Sequence, residues 1–372
     1  MIAFETDWLK RWGQYTPKRL ALREHSRAIE WNYAEMNRRV NALARYLLEE
    51  LQLKRGDRIA VYSRNRAEYV FLFFACAKSG LVLVPLNFRL MPRELDTLIH
   101  DAEPQLFLYE RELAEMVEKL QTLAAIPRRM VFESITPFLT GPHQADSFEP
   151  DRPNGEEDLV MILYTAGTTG LSKGAMINHR MLYWNAINTH LRLDITSADH
   201  TQSFAPFFHT GGWNVLLTPF FLHGASHTLL DKFDADLILR LMESEKTTLL
   251  FGVPTMMQMM ADSPLFDQVD LSTVRYAIVG GAPMPIPLIN KWHAKGISIR
   301  QGYGLTEVGP NCYSLHQDDA VRKRGSIGFP NFYFEAKVMD DDGRELGDEQ
   351  VGELWLKSPV VTPGYWRNEE AT

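Results

Sequence analysis

The densest run of reactive residue types is Tyr164-Thr165-Ala166-Gly167-Thr168-Thr169-Gly170-Leu171-Ser172-Lys173-Gly174. Its three threonines bring hydroxyl donors and Lys173 brings a mobile positive charge. Gly167, Gly170 and Gly174 free the backbone to turn and to approach a ligand closely. This combination suits polyphosphate, whose oxygens can be ringed by N–H groups and hydroxyls while the lysine offsets their charge. It is not a Walker A loop, which needs Gly directly before the Lys and Ser or Thr directly after it. Here those neighbours are Ser172 and Gly174. Taken alone, the composition also fits an ordinary surface turn, so other loops must decide.

Four such loops exist, each after a predicted strand: Pro206-Phe207-Phe208-His209-Thr210-Gly211-Gly212, Phe251-Gly252-Val253-Pro254, Gly280-Gly281-Ala282-Pro283, and Gln301-Gly302-Tyr303-Gly304-Leu305-Thr306-Glu307. In open α/β sheets, ligands sit beyond the carboxyl ends of the strands. Loops stacked along one such edge, opposite the Thr/Gly-rich stretch, would make a cleft between two subdomains.

The elements that must carry these loops alternate. Met36, Val40, Leu43, Ala44, Leu47 and Leu48 recur at helical spacing, predicting a helix over 34–50. A strand at 58–63 follows. Asn65 with Glu68 three residues on reads as a helix start, and that helix runs to Ser79. Then come a strand at 81–84, a helix at 92–101 with Pro92 in its first turn, a strand at 105–109, a helix at 111–123 and a strand at 129–132. Residues 134–157, with four prolines, read as a surface connection. Residues 158–163 read as a strand before the Thr/Gly-rich stretch, and residues 176–191 as a helix after it.

A second series starts near His200, with strands at 201–204, 226–230, 247–251, 274–279 and 297–300 and helices near 212–222, 234–245, 254–261 and 285–295. Alternation of this kind argues for largely parallel sheets covered by helices. From about Gly325 short strands, 335–339 and 351–356, suggest a small β module.

Composition narrows the function. A chain of 372 residues with 45% hydrophobic content can build a large core divided into subdomains. Net charge is −8 with no basic tract, which argues against nucleic acid. Cys76 and Cys312 lack metal or redox spacing and fit buried thiols in a reducing cytoplasm. The start is too polar for a signal peptide, and no stretch is long and apolar enough for a transmembrane segment.

Four motifs in order, YTAGTTGLSKG (164–174), PFFHTGG (206–212), QGYGLTE (301–307) and GELWLKSP (352–359), together with GDRIAVYSRNRAEYV and LVLVPLN in the first half, resemble the large N-terminal domain of the adenylate-forming superfamily. That superfamily comprises acyl-CoA synthetases, luciferases and the adenylation domains of peptide synthetases. The resemblance spans nearly the whole chain. It implies an α/β fold with two α/β subdomains over residues 1–324 and the start of a small β-barrel-like module over 325–372. It also implies chemistry on a carboxylic acid with ATP, Mg²⁺ and coenzyme A: acyl-AMP and pyrophosphate form first, then a thioester.

By the same resemblance Thr165, Gly167, Thr168, Thr169, Gly170 and Lys173 hold the β- and γ-phosphates, Thr306 donates to the α-phosphate, and Glu307 is the magnesium ligand. Gln301, Gly302, Tyr303 and Gly304 lie along the nucleotide, with Tyr303 against adenine and Gly281, Ala282 and Pro283 on its other side. His209 orients the incoming carboxylate; Trp213, Val253, Met256 and Gly280 wall the acyl group.

Two residues depart from the family pattern. Ala166 stands where serine is common and Ser172 where proline is common, which puts loop order and nucleotide affinity in question. The family's Thr-Gly-Asp segment, hinge and small C-terminal domain do not follow within these 372 residues, so truncation and impaired turnover are expected.

The sequence reading is therefore an acid–CoA ligase for a medium- or long-chain fatty acid. An amino-acid-activating domain is disfavoured, because no acidic residue lies between Ser203 and Leu217 to meet an ammonium group. The alternatives are an aryl-acid–CoA ligase and a non-catalytic module that binds an acyl group or acyl-AMP. Fatty substrates leave room for peripheral membrane contact, and a homodimer is compatible with the chain.

Overall fold

Helix Ala67–Ser79 is buried on every side and forms the axis of the first half. Its sequence, AEYVFLFFACAKS, has almost no polar face, as a helix enclosed by other elements requires. It stops where Gly80 takes φ +74°, a left-handed conformation suited to glycine. The computed structural model describes residues 5–165, 172–319, 322–323 and 325–372.

Three sheets and a hairpin surround this helix and its counterparts. The first sheet has the order Arg128–Val131, Leu106–Tyr109, Arg58–Tyr62, Val82–Leu86, Leu159–Thr165, Lys173–Asn178. Its first five strands are parallel and the sixth antiparallel. The second sheet runs Ile29–Asn32, Leu20–Glu24, Ser226–Leu229, His200–Ser203. The third carries parallel strands Leu249–Gly252, Tyr276–Val279 and Ser298–Leu305, then antiparallel Gly309–Ser314 and Phe329–Pro330. Mixed α/β architecture with largely parallel sheets is thus as the alternation implied. No helix of the described residues is long and apolar enough to cross a membrane.

Several expectations are corrected. Residues 176–191 do not form one helix: strand Lys173–Asn178 comes first and helix His179–Leu193 follows, capped by Asn178, whose side chain accepts from Met181 N. The helix expected over 111–123 is broken into Arg111–Leu113, Ala114–Val117 and Thr122–Ala125. Asn65 does not cap the following helix. Its side chain instead donates to Ala205 O at 2.8 Å and accepts from Phe207 N at 3.0 Å, tying the end of one sheet to a loop of another.

Strands at 201–204 and 226–230 were expected beside those at 247–251 and beyond. They form a separate sheet instead: Ser226–Leu229 pairs with His200–Ser203 on one side and on the other with Leu20–Glu24, a segment to which the sequence reading gave no element. In the last part of the chain Glu335–Met339 pairs antiparallel with Glu353–Lys357.

A buried ionic knot locks the first half. Glu68, 0% exposed, accepts from both guanidinium nitrogens of Arg27 at 2.8 Å, from Arg66 Nε at 2.9 Å and from Thr136 Oγ1 at 2.7 Å. Burial alone would raise its pKa, but the hydrogen bonds and charges of Arg66 and Arg27 hold it at about 2.

Candidate functional site

Strand Leu159–Thr165 and strand Lys173–Asn178 pair antiparallel, with Thr165 opposite Lys173. The Thr/Gly-rich stretch is therefore bracketed by a hairpin and does not open a helix. Gly167, Thr168, Thr169 and Gly170 lie outside the described residues, as do Ala166 and Leu171. What is described are the two ends. Thr165 Oγ1 donates to Glu307 Oε1 at 3.3 Å, spanning 142 residues of sequence. Lys173 Nζ lies 5.3 Å from the ring centroid of Tyr365, and the Tyr365 hydroxyl donates to the same Oε1 at 2.8 Å. Lys173 and Glu307 thus meet at one spot, through a residue that the sequence reading did not single out.

Glu307 belongs to a short 3-10 turn, Thr306–Val308, between strands Ser298–Leu305 and Gly309–Ser314. Tight backbone packing sets this turn. A Cβ at Gly304 would lie 2.3 Å from Pro310 C and 2.4 Å from Gly309 O, so no side chain fits. We expect Gly304→Ala to shift the turn, destabilise the protein by about 1–3 kcal/mol as overpacking does, and weaken nucleotide binding. Urea unfolding combined with nucleotide titration checks this; unchanged values in both refute it.

Thr306 and Val360 line a small cavity with Asn185, Asn214 and Gly309. Gln301 is buried, and its side chain serves the fold: Oε1 accepts from Met284 N at 2.7 Å. That bond fixes the end of the Gly280–Pro283 loop. Gly281, at φ +81°, Ala282 and Pro283 are exposed, leaving an open face. Gly302 and Tyr303 pair with Ser314 and Tyr313, and the two tyrosine rings meet edge to face at 6.2 Å. Tyr303 is half-buried, and burial raises its pKa.

The acyl-side candidates separate into two groups. Trp213 is 0% exposed and stacks on Phe207 at 4.3 Å, with Tyr69 and Phe73 also in contact. It presents no surface to a cleft and supports the 206–212 loop from behind. Gly280 lies beside a residue absent from the candidate set, Phe251, while Val253 lies against Gly281 and Met256 against Gly252. A Cβ at Gly211 would lie 3.3 Å from Phe251 Cε1, and one at Gly280 would lie 3.9 Å from Phe251 Cε2. Val253 Cγ1 would lie 3.6 Å from a Cβ at Gly281, and Met256 Cβ 3.8 Å from one at Gly252. The Phe251 ring therefore fills the space between two glycine-bearing loops. Its signal in the sequence was position: it ends a strand directly before Gly252.

His209 starts the short helix Thr210–Asn214 and remains open to solvent beside Phe208, at 4.5 Å between centroids. Desolvation by its walls, and then the charge of Arg89, lower its pKa below the ordinary imidazole value. Neutral at pH 7, it can donate a hydrogen bond to an incoming oxygen. Arg89 lies 5.8 Å over the Phe208 ring and adds a cation at the same mouth.

The fit to a divalent cation can be judged from donor chemistry. Among the described residues no cluster of three or more His, Cys, Asp or Glu exists to cage a metal. One carboxylate with a neighbouring hydroxyl, Glu307 with Thr165, suits Mg²⁺, which is usually held by one or two carboxylates plus substrate phosphates.

Comparison with known proteins gives the family and the fold. Residues 9–366 match the family described as AMP-binding enzyme. A feruloyl-CoA synthase of Amycolatopsis sp is 35% identical over 368 residues, covering 98% of this chain and 72% of the relative. The long-chain-fatty-acid–CoA ligase FadD13 of Mycobacterium tuberculosis (strain ATCC 25618 / H37Rv) is 31% identical over 370 residues, covering 98% and 72%. The inhibitor-bound N-terminal domain of FACL13 from Mycobacterium tuberculosis superposes with a TM-score of 0.91 at 30% identity, over 98% of this chain and 91% of that one.

Proposed function

Since the chain belongs to the AMP-binding enzyme family, we propose that it activates a carboxylic acid with ATP and passes the acyl group to coenzyme A. The observation that carries the reading is the convergence of Thr165, Lys173 and Glu307 around Tyr365. A carboxylate oxygen attacks the α-phosphorus; the bond to the bridging oxygen breaks and pyrophosphate leaves. The coenzyme A thiolate then attacks the acyl carbon and AMP leaves. In the first step an anion meets a polyanion, so positioning and charge compensation are the protein's contribution. Lys173 offsets phosphate charge, Thr165 and Thr306 supply hydroxyl donors, and neutral His209 orients the carboxylate. Glu307 would hold Mg²⁺, which when bound supplies Lewis-acid charge compensation at the phosphates. The Gly281–Pro283 face and Tyr303 flank the adenine.

For the acid itself, an aryl substrate has the better support. Phe251, between Gly211 and Gly280, favours a short flat slot over a long tunnel, and the 35% identical relative is a feruloyl-CoA synthase. The fatty-acid reading retains support from the 31% identical long-chain-fatty-acid ligase. ATP–pyrophosphate exchange with a panel of hydroxycinnamic, arylacetic and C8–C16 fatty acids separates them. We expect the hydroxycinnamic acids to exceed the fatty acids by at least ~10-fold in kcat/KM, a difference of about 1.4 kcal/mol. The reverse order restores the fatty-acid reading. Exchange with no acid, by a folded protein that binds nucleotide, favours a non-catalytic binding module.

A further inference from the structure

Tyr365 lies outside every motif used to assign the site, yet it touches both of the site's charged residues. Backbone pairing fixes its position. Ala175 and Tyr365 form an antiparallel bridge, Met176 N donates to Gly364 O at 3.0 Å, and Trp366 N donates to Gly174 O at 2.7 Å. Residues 364–366 thus lie as a short added strand on Lys173–Asn178, the outer strand of its sheet. Two further bonds hold the segment at either side. Thr362 N donates to Glu307 O at 2.7 Å, and the Trp366 indole N–H donates to Asp101 O at 3.1 Å. The same strand that carries Lys173 therefore dictates where the phenol ring goes.

The ring does two separate things. Its face receives the Lys173 ammonium, an attraction between cation and ring quadrupole. Its hydroxyl, together with that of Thr165, occupies Oε1 of Glu307. Among the described residues no hydrogen bond reaches Oε2. A carboxylate anchored through one oxygen presents the other in a fixed direction, and such outer partners orient metal ligands.

We infer that Tyr365 is a positioning residue for the reaction, aligning Glu307 for a divalent cation and Lys173 for the polyphosphate of one nucleotide. The inference rests on the nucleotide reading of the site given above. It predicts different roles for hydroxyl and ring. The hydroxyl acts through Glu307 and hence on metal-dependent binding; the ring acts through Lys173 and hence on nucleotide with or without metal.

The test is equilibrium binding of a non-hydrolysable ATP analogue to the chain, with Mg²⁺ titrated and separately in excess EDTA, for wild type, Tyr365→Phe and Tyr365→Leu. Tyr365→Phe should weaken binding in saturating Mg²⁺ by ~10-fold or more, within the range of outer-partner substitutions at metal sites, and leave the EDTA value at the wild-type level. Tyr365→Leu should weaken both. A ring that merely obstructs the nucleotide would give the opposite sign, tighter binding of Mg²⁺-nucleotide to both variants. Unchanged or tighter binding of Mg²⁺-nucleotide by Tyr365→Phe, with a wild-type thermal midpoint, overturns the inference while leaving the nucleotide reading intact. No binding by wild type in either condition overturns both.

Discussion

Glu307→Gln is expected to lower acid-dependent ATP–pyrophosphate exchange by ~10²–10³-fold in kcat, the usual effect of removing one preorganised electrostatic group. The amide keeps the side chain's shape and can still accept from the Thr165 and Tyr365 hydroxyls that now reach Oε1. Only the charge is lost, so a large fall identifies the charge as the working part. Raising Mg²⁺ should recover part of the rate if weaker cation binding contributes. Lys173→Ala should behave differently. Among the described residues its ammonium meets the face of Tyr365 and no carboxylate, so its charge is available to the nucleotide, and half-saturating ATP should rise by about 10-fold. Exchange assays over a matrix of ATP and Mg²⁺ concentrations separate the two patterns. Wild-type kinetics in both variants would remove these residues from the site.

The second large effect concerns stability. Glu68→Ala should cost about 3–5 kcal/mol, because it removes the buried carboxylate that Arg27 and Arg66 share and leaves them only Glu24 and Glu133 as partners. Urea unfolding at neutral pH measures it, and a loss below about 1 kcal/mol, inside the spread of ordinary substitutions, would show that the knot contributes little. The same group gives a pH dependence whose sign is fixed. Its folded pKa, about 2, lies below the ordinary value of 4.5, so the folded state favours the ionised form. Its contribution is complete above pH 4.5 and is lost as pH falls from there towards 2. The size is on the order of 3 kcal/mol. Glu68→Gln should flatten that part of the stability profile; a slope identical to wild type would assign the acid sensitivity to other carboxylates.

Much of the architecture was legible because strands and helices alternate with strong periodicity, and the resemblance carried by the four motifs implied that Thr165, Lys173 and Glu307 share one nucleotide. The failures have specific causes. Residues 173–178, KGAMIN, carry no strand signal of their own, and Ala, Met and the following His-Arg-Met-Leu favour helix. They become a strand because Leu159–Thr165 offers an unpaired edge, a tertiary effect that propensity does not see. Asn65 has the residue type of a helix cap, but its side chain was taken by the 205–207 backbone. Trp213 reads as a cleft wall from its place beside the His209 loop, and only packing shows its ring enclosed by Tyr69, Phe73 and Phe207. Tyr365 had no local signal. In Gly364-Tyr365-Trp366 it looks like any aromatic following a turn, and its importance comes from a strand nearly two hundred residues earlier.

The pairing of Leu20–Glu24 with Ser226–Leu229 has a consequence for synthesis. Until about two hundred further residues have been translated, the early strand has only its hairpin neighbour Ile29–Asn32 and must wait with one margin bare. At ribosomal speeds of about 5–20 residues per second, that delay is roughly 10–40 s. A nascent chain exposing Leu20 and Leu22 for so long is a natural client for chaperones, and yield should depend on elongation rate more than on the finished protein's resistance to denaturant.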